Sequence, residues 1–291
     1  MDVIRWEFEP EGLRKPILVA AFGGWNDAAA SASSALSFLA EQLGAQKVAT
    51  IDPESFYDFQ STRPIIDLSV PGHHSVTWPD VEIYEARLDD GDHDLLLLAG
   101  SEPSMRWRTF CETVISVARK LGVEQVVTLG ALLADVAHTR PIRLTGLASS
   151  PELIEGLNTR TPSYQGPTGI VGVLHHAVAI AGLESVSLWA PVPHYAAGVT
   201  NPKGAHALLS GLRHVTGISI DLADLASAAD EHEAQVSRAV SNDQRLQALV
   251  ERLENEGPDD ELSLDPGALP SGDELAEELE RFLRQREEPP Q

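Results

Sequence analysis

The stretch Pro16-Ile17-Leu18-Val19-Ala20-Ala21-Phe22 decides the fold, together with Gly23-Gly24-Trp25-Asn26-Asp27, which follows it directly. A continuous apolar run of this length predicts a buried strand, and the two glycines predict its end. Asp27 has a side chain suited to cap a helix, which we predict to run to Leu43, before Gly44. A strand, a turn and a helix in this order are typical of an α/β fold.

The same alternation continues along the chain. Asp94-Leu95-Leu96-Leu97-Leu98-Ala99-Gly100 is the clearest further buried strand, and a helix is predicted after it from Trp107 to Leu121. Residues 64–88 alternate and are interrupted by Pro71-Gly72 and Pro79-Asp80, which predicts antiparallel strands or a hairpin. Further strands are predicted at residues 48–52, 125–129, 142–148 and 185–190, and further helices at residues 169–181 and 201–214. We therefore predict a three-layer α/β/α sandwich with a mixed sheet.

The C-terminal quarter of the chain differs in charge from the rest. Residues 1–220 contain 24 acidic and 15 basic side chains, whereas residues 221–291 contain 20 acidic and 6 basic ones. Capping-box patterns at residues 241–244 and 271–274 predict helix starts there. We predict an α/β core domain at residues 1–220 and an acidic helical tail at residues 221–291. The tail is predicted to hold helices near residues 222–240, 243–256 and 272–286, with a flexible linker near residues 257–270.

An apolar stripe runs along the tail, formed by Val236, Ala239, Leu246, Val250 and Leu253. These residues belong to separate helices, or they form one apolar seam of a longer helix. Such a stripe packs on the parent domain or binds a partner.

Composition and charge exclude several classes of protein. The formal net charge of −23 repels nucleic acid and anionic membranes, so we predict neither as a partner. No apolar run approaches the roughly 18 residues of a membrane span, and the N-terminal residues lack the layout of a signal peptide. The single cysteine, Cys111, excludes an intramolecular disulfide. These features predict a cytoplasmic protein.

The common catalytic and cofactor-binding motifs are missing from the sequence. It has no phosphate-binding G-x-x-x-x-G-K-[ST], no G-x-G-x-x-G, no H-E-x-x-H and no G-x-S-x-G. Cys111 falls within a predicted amphipathic helix, where we expect a small buried thiol. The pairs His73-His74 and His175-His176 are adjacent, so their side chains diverge on a strand or a helix. We predict no metal and no cofactor.

Polar residues nevertheless follow three predicted strands. Asn26 and Asp27 follow the first strand, Glu102 follows the second, and residues 130–140 follow the third. Ligand clefts of open α/β sheets lie at the carboxyl ends of their strands, so Glu102, Asp135, His138 and Arg140 are expected to meet as acid, base and cationic groups. The alternative is structural: Asp27 and Glu102 cap helices, while Arg106 and Arg140 pair with neighbouring carboxylates.

Two further segments are candidates for a ligand site or an interface. In Tyr164-Gln165-Gly166-Pro167-Thr168-Gly169, Thr168 is predicted to cap a helix whose free amide groups attract a carboxylate or phosphate. The glycines equally allow a neighbouring helix to pack closely. Trp189-Ala190-Pro191-Val192-Pro193-His194-Tyr195 contains two prolines, which predict a stiff loop suited to an interface or a pocket wall.

Five segments taken together resemble the proteasome assembly chaperone 2 family, and more narrowly its actinobacterial branch. These segments are residues 22–28, 100–103, 135–141, 162–169 and 189–195. The resemblance covers about residues 15–215. It implies an α/β/α core similar to that of nucleoside phosphorylases and a homo-oligomer, for which we expect a trimer. It also implies protein partners, with proteasome subunits as the first candidates.

The sequence departs from the family pattern at three places. Ala137 stands where the family has proline, and His176 stands where it has aspartate. Relatives that dock on proteasome α-rings use a hydrophobic–tyrosine–any residue tail, whereas this chain ends Pro289-Pro290-Gln291. We therefore do not expect docking by that route.

Two hypotheses follow for the function. The first is a non-catalytic homo-oligomeric interaction protein of the assembly-chaperone type. The second is a small-molecule-binding protein, or a hydrolase- or phosphorylase-like enzyme, that uses the polar cluster at the strand ends. The candidate ligand or interface residues are Trp25, Asn26, Asp27, Glu102, Arg106, Asp135, His138, Arg140, Tyr164, Gly166, Thr168, Gly169, His194 and Tyr195.

Overall fold

The computed structural model describes residues 3–69, 74–160 and 164–255. In chain order, the strands are β1 (Ile4–Trp6), β2 (Ile17–Gly23), β3 (Gln46–Ile51), β4 (Ile65–Asp67), β5 (Ser75–Thr77), β6 (Val81–Ala86), β7 (Leu95–Ser101), β8 (Gln125–Ala134), β9 (Thr145–Ala148) and β10 (Glu184–Pro193). The α-helices are α1 (Ser31–Gln42), α2 (Trp107–Lys120), α3 (Ile170–Ile180), α4 (Pro202–Thr216), α5 (Ala223–Ser241) and α6 (Gln244–Asn255).

Eight strands form one mixed sheet in the order β1-β3-β6-β7-β2-β8-β10-β9. The four central strands β7, β2, β8 and β10 run parallel to one another. The outer strands pair antiparallel. The predicted mixed sheet is therefore confirmed, and its parallel centre places the ends of four strands at one edge.

Helices cover both faces of the sheet. Strand β2 alternates between them: Ile17, Val19 and Ala21 belong to the core with helices α1 and α4, whereas Leu18 and Phe22 belong to the core with α2 and α3. A strand buried on both faces needs the continuous apolar sequence that β2 has. The predicted three-layer sandwich is confirmed.

Several elements differ from the sequence prediction in their bounds. Strand β8 continues to Ala134, so residues 130–134, which were predicted to follow the strand, belong to it. Strand β9 begins at Thr145, whereas a start at residue 142 was predicted. Strand β10 continues through Pro191 to Pro193, beyond the predicted end at residue 190. Beyond Trp189, strand β10 pairs with β8 alone, so its edge on the side of β9 is free and the missing N–H groups of the prolines cost no hydrogen bond with β9. The helix predicted from Asp27 starts as a single 3-10 turn over residues 28–30, and α1 begins at Ser31.

The antiparallel strands predicted between residues 64 and 88 are confirmed. Strands β4 and β5 form a separate two-stranded hairpin, and β6 pairs with β3 and β7 in the main sheet. The predicted turn at Pro71-Gly72 lies outside the described residues. Strand β1, which has only three residues, was not predicted.

The predicted first two helices of the tail are confirmed as α5 and α6. Val236 and Val240 of α5 and Val250 and Leu253 of α6 form a small core with Ala137 and Ala196. The apolar stripe therefore packs on the parent domain, in two helices that break at Asn242. The linker predicted near 257–270 and the helix at 272–286 lie outside the described residues. None of the helices in the described ranges is long and apolar enough to cross a membrane.

Candidate functional site

The carboxyl ends of β7, β2, β8 and β10 lie side by side because these four strands run parallel. Glu102 follows β7, Asn26 and Asp27 follow β2, Asp135 follows β8, and His194 follows β10. The strand edge therefore carries the polar residues that the sequence singled out, as expected for an open α/β sheet. They form two clusters.

The first group, which we call the Glu102 cluster, consists of Glu102, Asn26 and the first amide of α3. Glu102 Oε1 accepts hydrogen bonds from Asn26 Nδ2 at 2.6 Å and from the backbone N–H of Ile170 at 2.7 Å. The carboxylate sits at the N-terminus of α3, where the helix dipole favours negative charge. The anion expected at this helix is thus the chain's own glutamate.

Gly169 allows this arrangement. It is the N-cap residue of α3, and no side chain caps the helix from that position. A Cβ atom on Gly169 would lie 2.2 Å from Asn26 Nδ2, so any larger residue would displace the asparagine. The predicted capping role of Thr168 is wrong, because Glu102 reaches the free amide from another strand. Thr168 is exposed instead.

Asp27 also has a capping role. Its Oδ1 accepts hydrogen bonds from the backbone N–H groups of Ala32 at 2.7 Å and Ser33 at 3.1 Å, at the start of α1. The connection to α1 holds Ala29 at φ 51° and Ala30 at φ 49°, in the left-handed region that alanine seldom adopts. The structural interpretation of Asp27 and Glu102 as helix caps is confirmed.

The remaining predicted residues near this cluster are on the surface. Trp25, Arg106 and Gly166 are exposed. Arg106 starts α2 in the left-handed conformation, and in the described part of the chain it pairs with no carboxylate, contrary to the structural alternative. The Tyr164 hydroxyl donates to the backbone oxygen of Pro167 at 2.9 Å, which closes its own loop.

The second group, which we call the His138 cluster, joins the strand edge to α5. His138 is buried, and its Nδ1 lies 2.9 Å from the Tyr195 hydroxyl. That hydroxyl also accepts from the backbone N–H of His138 at 2.8 Å. Its own proton has two acceptors within reach, Nδ1 at 2.9 Å and the backbone oxygen of Val136 at 3.4 Å, and the shorter contact favours Nδ1. With the proton donated to Nδ1, the other ring nitrogen, Nε2, carries the ring proton and donates to Ser237 Oγ at 2.9 Å. These bonds fit a neutral imidazole.

The pKa shifts of His138 and Tyr195 agree with a neutral imidazole. Burial lowers the pKa of His138, the nearby carboxylate of Glu233 opposes this change, and Lys203 adds to it. Burial also raises the pKa of Tyr195. Both groups are therefore uncharged near neutral pH, and the pair connects the strand edge to α5 without a buried charge.

Besides the contact of His138 with Ser237, three polar contacts fasten the tail helices α5 and α6 to the rest of the chain. Lys203 Nζ donates to Glu233 of α5 and to the backbone oxygen of His138, the latter at 2.6 Å. Thr139 Oγ1 donates to Glu254 Oε1 at 2.5 Å, and the Arg140 guanidinium donates to the backbone oxygen of Glu254. Arg140 thus contacts a carbonyl group where the structural alternative expected a carboxylate.

His194 and Asp135 form an exposed pair at the rim. His194 Nδ1 lies 3.2 Å from Asp135 Oδ1, and both side chains are open to solvent. Asp135, His138 and Arg140 line one cavity, as the sequence suggested. Glu102 belongs to the other cluster and does not line this cavity.

This cavity lies between the strand edge and the tail helices. Its volume is about 120 Å³, and its wall includes Lys203 of α4, His232 of α5 and Leu253 of α6. Lys203 and His232 were not predicted as site residues, and Leu253 was predicted only as part of the apolar stripe of the tail. The sequence contains a signal for Lys203, because a lysine in the first turn of a helix opposes the dipole and needs a carboxylate nearby. It contains none for His232, since its contacts depend on how the tail folds back.

The described residues support neither a reactive cysteine nor a metal site. Cys111 is buried in α2, and burial raises the pKa of its thiol to about 11, so it is protonated and inert near neutral pH. No group of three His, Cys, Asp or Glu side chains within residues 3–69, 74–160 and 164–255 is placed to hold a metal ion.

Comparisons with known proteins agree with this architecture. Residues 21–240 match the sequence profile of the PAC2 family. The chain is similar to a PAC2 family protein from Streptomyces avermitilis, with 41% identity, a TM-score of 0.74, and coverage of 81% of this chain and 99% of that one. It is equally similar to a Mycobacterium tuberculosis proteasome-assembly chaperone homologue, with 41% identity, a TM-score of 0.75, and coverage of 80% and 99%.

A more distant likeness concerns the fold alone. An archaeal proteasome activator from Pyrococcus furiosus is 18% identical, with a TM-score of 0.65 and coverage of 81% of this chain and 97% of that one. No curated protein matches the chain.

Proposed function

The chain belongs to the PAC2 family, and on that premise we propose that it is a non-catalytic, homo-oligomeric interaction protein of the proteasome-assembly-chaperone type that acts in the cytoplasm. The similar protein from Mycobacterium tuberculosis, described as a proteasome-assembly chaperone homologue, supports this proposal. Asp27 and Glu102 support it as well, because their carboxylate oxygens cap helices.

The observation that carries the proposal is the hairpin of β4 and β5. Ile65 is 71% exposed and its neighbour Ile66 is 59% exposed, so both faces of β4 present apolar side chains to solvent. Leu68, Val76 and Trp78 are exposed as well. A two-stranded hairpin is marginally stable alone in water, and apolar side chains on both of its faces favour a covering partner.

We propose that this partner is a second copy of the chain, and the distribution of charge supports the proposal. Two copies that each carry −23 repel one another across most of their surface. The hairpin is the exception, because Asp67 is the one charged residue among residues 64–69 and 74–78. Association through the hairpin buries apolar surface while it avoids like-charge contacts. We propose a trimer, and light scattering of the intact chain measures its mass directly.

Native mass spectrometry tests the proteasome partner. The purified chain is mixed with separately purified bacterial proteasome α subunits at about micromolar concentration, where a specific protein complex is detectable. The proposal predicts species that contain both proteins. If the two proteins stay in separate species throughout assembly of the α-ring, the assembly role is refuted while self-association still stands.

The second candidate function is small-molecule binding, of which an enzyme of the hydrolase or phosphorylase type is the catalytic form. The observation that favours binding is the cavity of about 120 Å³ beside the His138 cluster. Thermal-shift measurements of the intact chain with nucleosides, phosphate and amino acids test it. A ligand that raises the melting temperature supports this function, and a melting temperature that none of them changes contradicts it.

A further inference from the structure

The cavity between the strand edge and the tail helices is basic, although the chain is acidic. Arg140, Arg143, Arg160 and Lys203 line it, whereas its only acidic lining residues in the described part of the chain are Asp135 and Glu233. The whole chain has 21 basic and 44 acidic residues, so this wall reverses the overall ratio. Positive charge concentrated in one concave site raises the local concentration of anions.

The two acidic residues offset only part of the positive charge that lines the cavity. Glu233 is paired with Lys203 Nζ and offsets its charge, whereas Asp135 is exposed at the rim beside His194. The Lys203 ammonium has three N–H groups, and its described hydrogen bonds go to Glu233 and to the backbone oxygen of His138. One donor of Lys203 is therefore left for a ligand.

Arg140 and His232 supply further donors. Arg140 donates to the backbone oxygen of Glu254 through Nη2, one of the nitrogens of a guanidinium that has five N–H groups. His232 Nε2 is buried and has no hydrogen-bond partner among the described residues. A buried polar atom without a partner is costly, so a ligand oxygen at this place would remove a penalty as well as add an attraction.

The volume limits the size of the ligand. A cavity of about 120 Å³ has room for a small oxyanion such as inorganic phosphate, sulfate or a short carboxylate.

We propose that the cavity binds a small oxyanion of the phosphate or carboxylate class, held by Arg140, Lys203 and His232. The inference rests on the second candidate function, small-molecule binding, and is independent of self-association and of the proteasome. Binding is coupled to the tail helices, because His232 is part of α5 while Lys203 and Arg140 contact residues of α5 and α6. The ligand therefore stabilises the packing of both helices on the core.

Isothermal titration calorimetry of the intact chain tests the proposal with inorganic phosphate, sulfate and succinate as separate probes at constant ionic strength. The proposal predicts saturable binding of at least one of them. Arg140→Gln and the double variant Lys203→Gln/Glu233→Gln should each weaken it about tenfold or more, since each removes a charge-assisted hydrogen bond. The double variant also removes Glu233, so no carboxylate is left unpaired. Circular dichroism checks that each variant folds.

Lys120→Gln is the matched control, because Lys120 is a surface lysine on α2 that pairs with Glu9 at 2.7 Å. It should leave the affinity unchanged. No saturable binding of any probe up to about 10 mM, or equal affinities in all variants, would overturn the proposal. A neutral nucleoside that stabilises the chain where the three anions do not would refute the anion assignment and leave small-molecule binding intact.

Discussion

Asn26 and Glu102 follow different strands, β2 and β7, and their side chains meet through a hydrogen bond of 2.6 Å from Asn26 Nδ2 to Glu102 Oε1. The same oxygen accepts the first amide of α3 at 2.7 Å. One carboxylate therefore connects two strand ends and a helix. This part of the strand edge stabilises the sandwich, whereas the edge beside His138 surrounds the cavity.

Glu102→Gln should destabilise the chain by about 1–2 kcal/mol, because the amide keeps the shape of the carboxylate but loses the charge that favours the N-terminus of α3. Urea denaturation followed by circular dichroism measures the change. Glu112→Gln on the exposed surface of α2 is the control and should change the stability by less than about 0.5 kcal/mol. Equal stabilities of the two variants would contradict the capping role of Glu102.

Gly169→Ala should destabilise the chain by about 1–3 kcal/mol, since the added Cβ would lie 2.2 Å from Asn26 Nδ2 and must push the asparagine away from Glu102. Gly198→Ala is the matched control, because a Cβ there meets no atom within 4 Å. The difference between the two denaturation midpoints is the quantity to measure. A Gly169→Ala variant as stable as the control would show that the asparagine is not held in place.

The main fold could be predicted because its signals are local. The apolar stretch of β2 must be buried on both faces, and the Gly23-Gly24 turn after it stops the strand in any context. The bounds of β10 could not be read the same way, because two prolines argue against a strand unless the pairing is known. Strand β9 is short and pairs with β10 only up to Trp189, so the edge of β10 beside the two prolines is free.

The site was predictable only in part, for a similar reason. Strand ends identify His138 and Arg140, but the contact of His138 with Ser237 spans 99 residues of sequence. No local pattern shows that the tail helices fold back over that edge. The capping partner of α3 was missed because Thr168 is adjacent in sequence, while Glu102 is adjacent only in space.

Leu253→Ala should detach α6 locally from the core. Leu253 is buried against Val236 and Val240, and truncation of a buried leucine costs about 2–4 kcal/mol where the site cannot collapse. Hydrogen exchange of the amides in α6 should accelerate tenfold or more, while exchange in β2 stays slow. Ile180→Ala, on an exposed position of α3, is the control. Slow exchange in α6 of the Leu253 variant would contradict the packing described here.

Acidification should destabilise the chain, in part through His138. Its pKa is lowered by burial, so the unfolded chain binds a proton first as the pH falls below about 6.5. The stabilising contribution of the neutral ring is present above that pH and is lost as the pH falls towards the pKa of the folded state. The charges of Glu233, Lys203, Glu254 and His232 add to or oppose this larger effect of burial on the pKa.

The variant His138→Gln isolates this contribution. Its free energy of unfolding should depend less on pH between about 7.5 and 5 than that of the natural chain, because one of the titrating groups is gone. Part of the slope should remain, since burial also lowers the pKa of His175 and His232. Identical slopes in the two proteins would contradict a neutral, buried His138.

Light scattering coupled to size-exclusion chromatography measures self-association through the hairpin. The intact chain should elute as a trimer of three times 31.4 kDa, or about 94 kDa. Ile65→Lys should yield folded monomers, because a charge on the apolar strand opposes contact between copies. Ile180→Lys, a matched change at an isoleucine that is 73% exposed, should leave the trimer intact. A natural chain that elutes as a monomer, or an Ile65→Lys variant with an unchanged mass, would contradict the account.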